Sequence, residues 1–316
     1  MRLFLTGGTG FLGSNIIRVA RERHDAAVFT TVHSWRQASP VDFDFAAVDM
    51  GDRASILNAV RVFRPDVIVH SAILNDIPLM YRDRKLAWRS YVEATHHLTD
   101  AANELGCKII LVSTDWIFDG TQTGADEFTP PNPVNYYGVL KVACEQVIAE
   151  RARNGAVARV AGVSGVHWLR RDEAQPQNAG FGHFITATVS GLKRDGHFIV
   201  WTGKNVNMCA TPSLASESAV QIMRLATSDH QGIFHCTGGE SIGRLALARI
   251  VAEVFGFAAT SVREGELPAS EDLAGVGIPR DTSLSATWTA SQLKAPLMSA
   301  REIVTRYKQQ VETGQL

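Results

Sequence analysis

Apolar residues in the first half of the chain fall in short, nearly unbroken runs at 3–6, 27–32, 45–48, 66–70, 108–112 and 156–160. Runs this short and continuous suit strands of a parallel sheet covered on both faces, because neither face has to meet water. Between them, 14–23, 54–63, 88–105 and 140–151 carry the three-to-four-residue recurrence of amphipathic helices. This alternation predicts successive βαβ units and an α/β fold with a doubly wound parallel sheet of the Rossmann type. The second half is less regular. Residues 162–182, rich in Gly, Gln, Asn and charge, read as a loop or lid. Further strands are expected at 199–201 and 232–236, with helices at 213–225 and 244–255.

The first apolar run passes straight into Gly7, Gly8, Gly10 and Gly13. Glycines permit a tight turn and let the backbone approach a pyrophosphate, and the helix that follows points its positive end at the phosphates. Glycine turns between strands and helices also occur for structural reasons alone; placement after a strand, at the start of a helix, makes this one a dinucleotide fingerprint. Gly7, Gly10, Phe11, Leu12 and Gly13 are therefore candidate cofactor contacts. The net charge of -1 gives no electrostatic reason to expect nucleic acid or an anionic membrane as partner. Without a long apolar run or a cleavable leader, a cytoplasmic location is expected. The four cysteines are scattered, and His96-His97 and His235-Cys236 lack ligand-like companions, so no metal site is expected.

The region 109–120 reads Ile-Ile-Leu-Val-Ser-Thr-Asp-Trp-Ile-Phe-Asp-Gly, and 132–145 reads Asn-Pro-Val-Asn-Tyr-Tyr-Gly-Val-Leu-Lys-Val-Ala-Cys-Glu. With Thr-Gly-Gly-Thr-Gly-Phe-Leu-Gly at 6–13, Arg-Pro-Asp-Val-Ile-Val-His-Ser-Ala at 64–72 and Pro-Arg-Asp-Thr-Ser-Leu at 279–284, the chain resembles an extended short-chain dehydrogenase/reductase. More narrowly, it is similar to the dTDP-4-dehydrorhamnose reductase group. The resemblance implies Thr114, Tyr137 and Lys141 as the catalytic set. Tyr137 would give a proton to a carbonyl oxygen, Thr114 would add a hydrogen bond, and Lys141, one helical turn on, would lower the phenol pKa and reach ribose hydroxyls. Tyr136 is a decoy, since its partner four residues on is Leu140.

Related dehydratases carry Thr-Asp-Glu where this chain has Thr114-Asp115-Trp116, so dehydration is disfavoured; the reductases carry Thr-Asp-Tyr, which leaves Trp116 as a candidate substrate wall. Tyr91 stands where many relatives have an asparagine that supports a proton relay. No acid lies between Asp25 and Asp42 to hold a ribose 2′-hydroxyl, whereas His33, Ser34 and Arg36 suit a 2′-phosphate. NADP is accordingly the expected cofactor, with NAD as the alternative. The resemblance places Asp49 and Met50 by the adenine, and Ser71, Ala72 and Ile73 along the pyrophosphate and nicotinamide ribose. It also implies a dinucleotide-binding domain from 1–162 and 204–238, and a smaller C-terminal α/β substrate lobe from 163–203 and 239–316. Arg170, Arg171, Lys204 and Arg280 are candidates for a substrate diphosphate, while Phe181, His183, Phe184 and Trp201 read as sugar contacts or core. The expected activity is NADPH-dependent reduction of a keto group on a nucleotide-linked deoxysugar, with a small-molecule substrate and a homodimer as a compatible assembly. Two alternatives stand beside it: another epimerase or reductase of the superfamily, and a dinucleotide-bound regulatory subunit without catalysis, like the relative that partners methionine adenosyltransferase.

Overall fold

The computed structural model describes residues 1–33, 41–171, 173, 175–273 and 275–316. Strands β1 (Arg2–Thr6), β2 (Ala27–Val32), β3 (Asp44–Ala47), β4 (Val67–His70), β5 (Lys108–Thr114) and β6 (Gly155–Val160) join the strand Gly232–His235 in one sheet. All seven strands run parallel, and β1 lies between β2 and β4, so the chain reverses its winding there. A ligand crevice opens at such a reversal, outside the carboxyl ends of the strands.

Successive residues of a strand face opposite ways, and the two faces have separate cores. Leu3, Leu5, Val67, Val69, Ile110 and Val112 pack against Ile16, Val19 and Ala20 of helix α1 (Phe11–His24) and against Ala219, Ile222 and Met223 from the later helix Ala215–Ala226. Phe4, Ile68, Ile109 and Leu111 face the other way, onto α2 (Arg53–Phe63), α5 (Ala94–Leu105) and α6 (Tyr136–Arg151). Each fully buried Leu, Ile or Phe contributes about 1.5–3 kcal/mol, enough in sum to fix which face each run presents. Two short helices, α3 (Ile77–Arg82) and α4 (Arg84–Trp88), lead into a π-helical turn, Arg89–Glu93, that continues into α5. The region expected as one helix over 88–105 is thus interrupted in its first turns.

Beyond β6 a third core gathers Phe181, Phe184, Ile185, Leu247, Val251, Ile303 and Val304. It is built from the helices Phe184–Asp195, Arg244–Val254 and Ala300–Thr313. Three of its elements are not foreshadowed by the apolar pattern along the chain, the helix Phe184–Asp195 among them. The strand Val262–Glu266 pairs in parallel with Phe198–Thr202, yet of Val-Arg-Glu-Gly-Glu only Val262 is buried, so no apolar pattern marks it. The last helix carries a full capping box, Ser299 with Glu302, a local start signal independent of the apolar pattern. No helix among the described residues is long and apolar enough to cross a membrane.

Candidate active site at the carboxyl edge of the sheet

β1 ends at Thr6 and the chain turns through Gly7, whose φ is +72°. A Cβ on Gly7 would lie 2.8 Å from the Ala72 Cα, and one on Gly13 would collide with the Gly7 carbonyl. The turn is therefore bare backbone by steric necessity. It opens α1, which has no side-chain cap on Gly10 and no acid in its first turn. The residues present fit a dinucleotide pyrophosphate, since bare N–H groups at a helix start favour an anion.

Hydrogen bonds fix the surroundings of this turn. The Thr30 hydroxyl accepts from the Gly8 N–H at 2.9 Å and donates to the Leu5 carbonyl at 2.8 Å. Thr6 accepts from the Ala72 N–H at 3.1 Å, and the Ser71 hydroxyl donates to the Thr6 carbonyl at 2.8 Å. Ser71, Ala72 and Ile73 thereby run beside the cradle, with Ile73 exposed. Met50 lies against the Thr31 hydroxyl; Asp49 is exposed and accepts from the Gly51 N–H. His33 is exposed at the end of β2, whereas Ser34 and Arg36 lie outside the described residues. His70, whose Nδ1 is 2.7 Å from the Thr6 hydroxyl, is pushed down to about 3 by burial and by the Lys141 charge.

β5 delivers Thr114 to the same edge. There it accepts from the Trp116 N–H at 3.2 Å, donates to Asp115 Oδ1 at 3.0 Å and meets the Tyr137 hydroxyl. Asn135 caps α6 by accepting from the Gly138 N–H, and its amide donates to the Gly277 carbonyl. The Tyr137 ring sits edge-on between Trp116 and Tyr91, at 6.0 and 6.1 Å between centroids. Lys141 is buried, donates from Nζ to the Val112 carbonyl at 2.8 Å and lies 5.4 Å from the Tyr91 ring centre. The expected depression of the Tyr137 pKa is not what this geometry gives. Burial pushes the phenol above its usual range, the nearby Asp115 adds to that, and burial lowers the Lys141 ammonium. Lysine charge that is spent on a backbone carbonyl does less for the phenolate.

Three further residues belong to the cluster. Asp115 is pushed up to about 6 by burial, against hydrogen bonds from Thr282 and Thr114, and its Oδ2 has no partner among the described residues. Thr282 accepts from Asn207 at 2.7 Å, which ties the segment carrying Pro-Arg-Asp-Thr-Ser-Leu to the site. Gly138 lets α6 close on the short turn Asp115–Ile117 that follows β5, because a Cβ there would run into the Trp116 carbonyl. Asp115 and Thr282 stood within quoted motifs, whereas nothing in the spacing marked Gly138. Tyr91, on the π-helical turn, donates its hydroxyl to the Leu74 carbonyl at 3.2 Å, so it offers Lys141 a ring face rather than an amide. The Tyr136 hydroxyl leaves the cluster for the Arg84 carbonyl.

The candidate substrate residues separate. Trp116 is half-buried and close to Gly180. Arg280 and Lys204 are exposed, and Arg280 reaches the Gly203 carbonyl at 3.4 Å. Phe181 and Phe184 are core residues stacked with the buried Arg244 guanidinium, and Trp201 is half-buried. His183 packs edge-on against Phe11 at 4.4 Å. Arg171 lies over the Trp168 ring, and Arg170 reaches the Thr9 carbonyl of the glycine turn, on the cofactor side. Among the described residues no group of three His, Cys, Asp or Glu could hold a metal ion.

A seven-stranded parallel sheet with this glycine turn and a Thr–Tyr–Lys cluster at its carboxyl edge defines an extended short-chain dehydrogenase/reductase. Within that class the chain belongs to the family described as RmlD substrate binding domain, which matches residues 1–312. It is 25% identical over 296 residues to methionine adenosyltransferase 2 subunit beta of Bos taurus, covering 90% of this chain and 80% of that protein. It is 24% identical over 264 residues to the Haloferax volcanii protein named Probable low-salt glycan biosynthesis reductase Agl14, covering 83% of each. In fold it is similar to dTDP-4-dehydrorhamnose reductase from Bacillus anthracis in complex with NADP, with a TM-score of 0.78, 20% identity and coverage of 99% and 98% of the two chains.

Proposed function

We propose that the protein is a cytoplasmic NADPH-dependent reductase of a keto group on a nucleotide-linked deoxysugar, with NADH as the alternative donor. The observation that carries this reading is the convergence of Thr114, Tyr137 and Lys141 beside the bare glycine turn. Residues 1–162 and 204–238 would carry the cofactor, and 163–203 and 239–316 the substrate. A dinucleotide held at the glycine turn would supply the hydride for the carbonyl carbon. Tyr137 supplies the proton to the carbonyl oxygen while Thr114 holds that oxygen by a hydrogen bond, and both groups act where charge develops. Lys141 would stabilise the phenolate that remains and is the residue placed to hold the ribose hydroxyls of a bound dinucleotide. Trp116 walls the substrate side, and Asp115 without a following glutamate leaves no acidic pair for dehydration.

NADPH oxidation against dTDP- and UDP-linked 4-keto-6-deoxyhexoses tests the proposal, and dTDP-glucose should not be dehydrated. A second reading, a dinucleotide-bound regulatory subunit, is favoured by the likeness to methionine adenosyltransferase 2 subunit beta and by the engagement of the Lys141 ammonium with the Val112 carbonyl. No turnover across the panel, together with a stoichiometric protein partner whose activity changes on binding, would replace the first reading by the second.

A further inference from the structure

Beyond Val166, which still packs against the third core, the segment after Val163–Ser164 leaves that core. It crosses one face of α1, where Phe11, Ser14, Asn15 and Arg18 recur at helical spacing. Asn15 donates to the Val166 carbonyl at 3.0 Å and accepts from the Trp168 indole at 2.8 Å; the Trp168 N–H reaches the Ser14 hydroxyl at 3.3 Å. The Arg18 guanidinium lies 3.6 Å from the Trp168 ring centre. So anchored, the strap 166–171 brings Arg170 back to the glycine turn, where Nη2 donates to the Thr9 carbonyl at 3.3 Å.

His167 accompanies it. Only 4% exposed, it accepts at Nε2 from Arg170 Nε at 3.0 Å, which leaves the ring proton on Nδ1 of the neutral imidazole. Among the described residues that Nδ1 makes no full hydrogen bond; the Thr9 backbone lies close enough to interact with the ring, which stands edge-on to Phe11, the first residue of α1. A guanidinium and an incompletely satisfied buried N–H therefore converge on a turn whose helix start is uncapped and free of acids. Both groups are donors without an acceptor's lone pair, and a phosphate oxygen is the chemical complement of the pair. Glu173 holds Arg170 meanwhile, at 2.9 Å, in a pair about half exposed on both sides. Such a pair is weak and exchanges readily.

We propose that this strap is a clamp on a phosphate of the dinucleotide, with Arg170 as its charged contact, His167 as its second donor and Glu173 as the acceptor that phosphate displaces. The proposal rests on the dinucleotide-binding reading above and assigns Arg170 to the cofactor rather than to a substrate diphosphate. Fluorescence titration of the full chain with NADPH and with NADH tests it. Arg170→Ala should weaken binding about tenfold or more, the range for a charge-assisted hydrogen bond, and Arg170→Lys should weaken it less. Glu173→Ala should change affinity in the opposite direction, tightening it by about two- to fivefold, which a merely structural strap would not do. Equal losses for both cofactors in Arg170→Ala place the contact on the pyrophosphate, and a loss confined to NADPH places it on the 2′-phosphate; either supports the clamp. Affinities of Arg170→Ala within about twofold of the wild type for both cofactors, or weaker binding by Glu173→Ala, overturn it. Failure of the wild-type chain to bind either cofactor overturns the dinucleotide reading and the clamp together, whereas wild-type binding with an indifferent Arg170→Ala removes the clamp alone.

Discussion

At Tyr137 the demands of donating a proton and of being buried oppose each other. Burial and Asp115 hold the phenol above its usual range, which keeps the proton in place until a developing alkoxide takes it. Tyr137→Phe keeps the ring that packs between Trp116 and Tyr91 but removes the proton, so turnover should fall at least about a hundredfold, as for loss of a general acid. Cofactor affinity should stay nearly unchanged. Lys141→Met should harm both turnover and cofactor affinity. Steady-state NADPH oxidation beside cofactor titration separates these outcomes, and near-wild-type turnover in Tyr137→Phe would assign the proton to another group. The residue types and the four-residue spacing of this pair were legible in the chain. The resting place of the Lys141 ammonium was not, because the Val112 carbonyl it binds belongs to a strand 29 residues earlier.

Helix α6 and the short turn Asp115–Ile117 hold these side chains together through close backbone packing. The contact depends on Gly138, since any Cβ there meets the Trp116 carbonyl and the Pro133 side chain. Gly138→Ala should cost about 1–3 kcal/mol as an overpacking change and should separate Tyr137 from Thr114. Val139→Ala, one residue on and exposed, should stay within about 0.5 kcal/mol of the wild type. Guanidinium denaturation of the two variants measures the contrast, and equal stabilities would mean that the helix is free to shift. Most strands were readable because burial on both faces leaves an unbroken apolar run. The strand Val262–Glu266 was not, since its place comes from pairing with Phe198–Thr202 and not from its own side chains. The π-helical turn before α5 likewise left no mark on the periodicity, which counts side chains and not backbone hydrogen bonds.

Across the whole molecule, burial of histidine sets the response to acid. His70 is held neutral, down to about 3, while the unfolded chain takes a proton near 6.5. Its contribution is present above 6.5 and is lost as pH falls, on the order of 2 kcal/mol by pH 5. His167, pushed down to about 4 by burial, acts in the same direction. Asp115, pushed up to about 6 when folded, acts oppositely, because its burial penalty is relieved below that pH. The histidines outweigh it, so the denaturant midpoint should fall between pH 7 and pH 5; a flat or rising midpoint would mean that His70 is solvated. By itself the sequence determined the alternating α/β order and the glycine turn, since each depends on neighbours close along the chain or on a local steric rule, whereas the Thr–Tyr–Lys set was legible only through the resemblance to a family. Only the tertiary structure decided which distant groups share a site. It set Asp115 beside Thr282, spent the Lys141 ammonium on β5, and carried Arg170 across α1 to the glycine turn. These are contacts between segments far apart in sequence, fixed by how the cores on the two sheet faces and the third core pack, and no local pattern encodes them.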